Sequence, residues 1–107
     1  MIAELESDSS AKELARTAET TAVTYNVEHR GSYSGLTVAK AERLEPTLRS
    51  SAGSKLISVV AHATSFRVTT EATVTRQTFS ITWSPSAKVT MSCTGTIECA
   101  RGRWANG

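Results

Sequence analysis

Apolar residues return at a helical period in the first third of the chain and at a period of two in its second half. Leu14, Ala18, Ala22, Tyr25 and His29 follow one another at spacings of 4, 4, 3 and 4, which places them on one face of an α-helix. Thr21 borders that face, and Arg16 and Glu19 point away from it. The signal is clear from Ala11 to His29. Ser10-Ala11-Lys12-Glu13 matches the S-x-x-E capping box and predicts a helix start there. Ile2 and Leu5 extend a weaker apolar pattern that would carry the start back to Ile2. His29 and Arg30 suit the negative C-terminal end, and Gly31 is expected to take the left-handed stop. The side chains on this face are small, which would let a sheet approach the helix closely.

Gly31-Ser32-Tyr33-Ser34-Gly35 reads as a loop. Val38–Leu44 is predicted as a short helix with Thr37 as its N-cap, closed before Glu45-Pro46. Residues 49–54 read as a polar turn. Leu56–Ala61 is apolar and β-branched. Ser65–Ala72 alternates, with Phe66, Val68 and Thr70 opposed to Arg67, Thr69 and Glu71. Gln77–Trp83 sets Phe79, Ile81 and Trp83 against Thr78, Ser80 and Thr82; after the turn at Ser84-Pro85-Ser86, Lys88–Cys93 groups Val89, Met91 and Cys93. The expected fold is α+β, one long N-terminal helix packed across a three- to four-stranded antiparallel sheet. Leu14, Ala18, Ala22 and Tyr25 would meet Phe66, Val68, Phe79, Ile81 and Trp83. The chain reads as a single domain: helix at about 8–30, connector 31–54, sheet 55–93, and a C-terminal loop and tail over 93–107.

A length of 107 residues fits one domain with a modest core. Twelve Lys+Arg against ten Asp+Glu give a net charge of +2, and these residues are scattered, so no nucleic acid or anionic lipid partner is expected. No apolar run reaches the roughly 18 residues of a membrane span, and the start lacks the pattern of a secretory signal. Ser and Thr together make 30 of the 107 residues. Many fall in the predicted strands, where β-branching suits a half-buried pleated surface. Such a hydroxyl-rich surface is common in exported proteins and equally in ordinary strands.

Few residues carry candidate chemistry. Cys93 and Cys99 are the only cysteines. Their close spacing after the last strand suggests a disulfide that staples the tail to the sheet, with two free thiols or a metal site as alternatives. Zinc needs four ligands, and the spacing resembles no zinc knuckle. No metal and no cofactor are expected. His29 sits at a helix end and His62 between strands. There is no G-x-S-x-G elbow, phosphate-cradling glycine loop or H-E-x-x-H pair. Asp8 is the only aspartate, and Glu42 and Glu45 read as solvated helix charges. The chain is not expected to be an enzyme. Tyr25, Tyr33, Phe66, Phe79, Trp83 and Trp104 form no stacking array with interleaved arginines. Arg101, Arg103 and Trp104 read as a tail whose Trp packs onto the sheet.

The order of these features carries a resemblance. Residues 15–25, Ala-Arg-Thr-Ala-Glu-Thr-Thr-Ala-Val-Thr-Tyr, followed by Gly31-Ser32-Tyr33, are similar to the exposed half of the type IV pilin helix and the turn after it. Leu44-Glu45-Pro46-Thr47-Leu48 and the ending from Cys93 through Cys99 to Trp104 also resemble pilins and the related pseudopilins of type II secretion. The likeness covers roughly residues 8–104 and consists of packing and turn patterns. The family's apolar N-terminal helix, with a glutamate near its start, is not in this sequence: Met1-Ile2-Ala3-Glu4-Leu5-Glu6 is too charged and short. Glu4 and Glu6 are not equated with that glutamate.

What the resemblance implies is a structural protein, the extracellular head of a pilus-like filament subunit acting in adhesion, motility or DNA uptake. The missing apolar helix would hold the precursor in the inner or cytoplasmic membrane and then form the homo-oligomeric filament core at the cell surface. The connector at 31–54 and the loop at 93–99 would carry subunit contacts. A pseudopilin or minor pilin of a secretion or competence machine is the near alternative. A small secreted ligand-binding module is the alternative of another class. Without the apolar helix, this chain is expected to sediment as a monomer at micromolar concentration; a tight oligomer in that experiment would contradict the expectation.

Overall fold

The period-3.6 segment forms one helix, α1 (Ile2–Glu28), 27 residues and so about 40 Å long. The computed structural model describes residues 2–49, 51–94, 99–100 and 103–104, with side chains described for 7–49 and 51–94. The capping-box start at Ser10 is not used, because the helix runs straight through it. Ser10 Oγ instead donates to Ala52 O at 2.6 Å and lies 2.7 Å from Ser54 Oγ. The helix ends before His29 and Arg30. Gly31 N–H closes on Asn26 O at 2.8 Å, and Arg30, at φ 58°, takes the left-handed position ahead of Gly31 at φ 86°.

A short helix, α2 (Val38–Leu44), follows where predicted, with Thr37 Oγ1 accepting from Lys40 N–H at 3.1 Å. A single 3-10 turn, Pro46–Arg49, then buries Leu48. The sequence reading missed that turn because Leu48 stands alone among polar residues. Four strands complete the layer: β1 (Ser54–Ala61), β2 (Phe66–Ala72), β3 (Thr78–Ser84) and β4 (Lys88–Cys93). They pair in chain order as an antiparallel meander, so the molecule is α+β as the patterning implied. A bulge between Leu56 and Ser58 switches the parity of β1. Leu56 opposes Thr70, but Val59 and Ala61 then oppose Val68 and Phe66. Ile57 and Val60 are left exposed, which is why this strand reads as a continuous apolar run. The segment read as loop and tail also contains a two-residue ribbon, β5 (Cys99–Ala100) with β6 (Arg103–Trp104), which lies against β4.

α1 lies across β1, β2 and β3, chiefly β2. Phe66, Val68, Phe79 and Ile81 are buried beneath it, as are Leu14, Ala18, Ala22 and Tyr25. Ala11 and Ala15, absent from the sequence-derived stripe, belong to the same face at 0% exposure. His29, included in that stripe, is exposed beyond the helix end. Trp83 packs against the core but stays partly exposed, and Val89, on the same face of β4, is open to solvent. Alanines bring the helix backbone so near the sheet that Thr70 Oγ1 donates to Ala11 O at 2.7 Å.

A polar latch holds the first part of the described helix face. Ser7 Oγ donates to Gly53 O at 2.6 Å and accepts from Val74 N–H at 3.2 Å. Asp8, fully buried, accepts from Thr75 Oγ1 at 2.7 Å and from Gln77 Nε2. Gly53 has φ +89°, and a Cβ there would lie 3.4 Å from Ser7 Cα. The left-handed backbone is what calls for glycine here, since the Cβ would sit at ordinary contact distance.

Ala15→Leu should overpack this contact and lower stability by about 1–3 kcal/mol in urea unfolding. Thr20→Leu on the exposed face should change it by less than about 0.5 kcal/mol. Equal effects would show that Ala15 is not at a tight contact.

Candidate functional site

The end of α1 and the start of the connector enclose a cleft of about 260 Å³ lined by Tyr25, His29, Lys40, Arg43 and Leu44. Tyr25 forms its floor. The phenol donates to Ser34 O at 2.9 Å, and the ring stacks on His29 with centroids 3.7 Å apart and planes 15° from parallel. His29 Nδ1 lies 2.8 Å from Tyr25 O. A carbonyl oxygen can only accept, so Nδ1 carries the proton and Nε2 is the free ring nitrogen. Gly35, at φ +93°, crosses above the phenol; a Cβ there would stand 2.9 Å from Tyr25 Oη. Lys40 and Arg43 stand three residues apart on α2, hence on one side of it. None of the residues lining the cleft is acidic.

A second cleft of about 240 Å³ lies over the other flank of α1, lined by Glu19, Val23, Tyr33, Phe66, Trp83 and Val89. Its walls are largely apolar. Tyr33 packs on Phe66 at 4.9 Å between ring centroids, and Lys88 Nζ lies 5.5 Å from the centre of the Trp83 ring. Burial pushes the Tyr33 phenol up from its ordinary value of 10.0.

The remaining candidate residues are dispersed. Cys93 is disulfide-bonded and mostly buried. The side chains of Cys99 and Trp104 lie outside the described residues, so the packing expected of Trp104 does too. His62 sits in the β1–β2 turn, its N–H bonded to Ser65 O at 2.8 Å, in a different element from His29. Glu45 accepts from Thr47 Oγ1 at 2.7 Å, as a turn brace. Among the described residues no three His, Cys, Asp or Glu side chains gather as metal ligands, and no helix is long and apolar enough to cross a membrane.

Sequence reasoning missed the cationic cleft. Lys40 and Arg43 looked like scattered surface charges, and Tyr25 and His29 looked like ordinary members of a packing stripe. The one available signal was their convergence: an aromatic-histidine pair at a helix end, followed by two cations on one side of a short helix. Comparisons with protein-family models, with curated proteins and with solved structures give no match.

The raised Tyr33 pKa has a stability consequence. The unfolded chain ionises this phenol first, so stability should fall as pH rises above about 10. Tyr33→Phe removes that contribution, and its denaturation midpoint should fall less steeply over the same alkaline range. Identical slopes for the two proteins would show that Tyr33 is not desolvated.

Proposed function

We propose that this chain is the head domain of a type IV pilin-like filament subunit, a structural protein of the cell surface and not an enzyme. The single observation that carries the reading is one long N-terminal helix lying across a four-stranded antiparallel meander whose last strand ends at a disulfide-bonded cysteine. Physically, that architecture suits a subunit. One face of the helix is anchored to the sheet layer from Ser7 to Tyr25. In this reading an apolar helix upstream holds the precursor in the membrane and joins copies in the filament core. Pseudopilin or minor-pilin roles share the architecture and differ in partners.

A small secreted ligand-binding module is a second reading, favoured by one observation, the cleft that gathers Lys40, Arg43 and His29 over an aromatic floor. The two readings separate in the source cells. Antibodies raised against the chain should decorate thin surface filaments in electron micrographs, and decoration should vanish when the gene is deleted. Protein found free in the medium, with filaments unlabelled, would overturn the filament reading.

A further inference from the structure

We propose that the cleft between the end of α1 and α2 binds a small organic oxyanion, a carboxylate or phosphate carried on one flat or apolar body. The inference does not depend on filament assembly.

The charge argument comes first. Lys40 and Arg43 are both exposed, and among the described residues neither is held by a carboxylate. Glu42 lies between them in sequence, at a spacing that turns it off their side of the helix. Glu45 is engaged with Thr47. An ammonium and a guanidinium thus stand over one small cleft with no internal counter-ion. A guanidinium fork matches an oxyanion in two hydrogen bonds, and the neighbouring ammonium adds a point charge. His29 contributes its ring face and no third hydrogen bond: with Nδ1–H directed at Tyr25 O, Nε2 of the neutral imidazole is an acceptor.

The shape argument is independent. The stacked Tyr25–His29 pair and Leu44 give the cleft a flat, apolar side. That side is fixed before any ligand arrives: the phenol is bonded to Ser34 O, the imidazole to Tyr25 O, and Gly35 leaves no room for the ring to rise. A preformed surface costs little ordering on binding. A volume of about 260 Å³ is below the range usual for drug-sized ligands, so one ring or a short apolar chain behind the anion fills it.

The test is a titration of the 15N-labelled protein with benzoate, phenyl phosphate, benzamide and inorganic phosphate, followed by NMR. Benzoate, phenyl phosphate or both should give saturable shifts confined to residues around Tyr25, His29 and 38–44. Whichever binds more tightly identifies the headgroup. Benzamide, which has the ring without the charge, should give none at the same concentrations. Inorganic phosphate, which has the charge without the body, should bind more weakly than phenyl phosphate. The double variant Lys40→Gln/Arg43→Gln should weaken binding by about tenfold or more. Both positions are exposed, so unchanged shifts elsewhere in its spectrum will show that it is folded. Equal binding of benzamide, equal binding of inorganic phosphate, or an unaltered titration of the double variant would overturn the proposal.

Discussion

The distance between α1 and the sheet is the constraint on which the rest of the molecule depends. Ala11, Ala15, Ala18 and Ala22 are all at 0% exposure. Methyl groups are the only side chains between much of the helix and β2. That is why a strand side chain, Thr70, can reach a helix carbonyl. Larger residues would hold the layers farther apart, and the hydroxyl of Thr70 would be buried with one partner fewer. The hydrogen bond and the alanines therefore stand or fall together. Bulk is supplied instead from the strands, where Phe66, Val68, Phe79 and Ile81 fill the layer, each contributing about 1.5–3 kcal/mol on burial.

So close an approach leaves polar groups under the helix, and the chain satisfies them with hydroxyls. Ser7 and Ser10 reach the turn at Gly53, and Asp8 binds Thr75 and Gln77 in the β2–β3 connection. Among the described residues Gln77 Oε1 is buried with no hydrogen-bond partner, a cost of about 1–3 kcal/mol. Along the helix Thr17, Thr20 and Thr24, on the more open side, and the buried Thr21 each bond the carbonyl four residues earlier. Across the outer sheet face Thr69 pairs with Ser80 and Arg67 with Thr82. The abundance of Ser and Thr thus has three local structural uses, and none of them needs an external ligand. The Lys40–Arg43 cleft differs in kind, because its cations have no such internal use.

Those contrasts explain how much was legible in the residues. Period and alternation are local, so α1, α2 and the alternating strands were legible, and residues expected in the core such as Ala18 and Val68 are buried. The Ser10 capping box was misread because a hydroxyl followed by Glu13 is a local pattern, whereas its real partners, Ala52 and Ser54, lie more than forty residues away. Asp8 was passed over for the same reason. The β1 bulge hides behind apolar residues on both faces, since Ile57 and Val60 look no different from Val59 until the register is known. Gly31 is left-handed as expected, and Arg30 before it is left-handed too, which no local pattern in the sequence marks. The cleft was out of reach because its walls come from two elements whose meeting depends on the loop at 31–37. Tyr25 shows the limit well: its place on the buried face was predicted, but not its bond to Ser34.

If the close contact governs the fold, α1 and the sheet form one cooperative unit. Native-state hydrogen exchange tests this directly. The amides of residues 11–22 and of 68–70 should exchange with the same free energy, equal to that of global unfolding. Exchange of the helix amides through an opening about 2 kcal/mol or more below that of β2 would contradict it, and would mean that the helix detaches while the sheet stays folded.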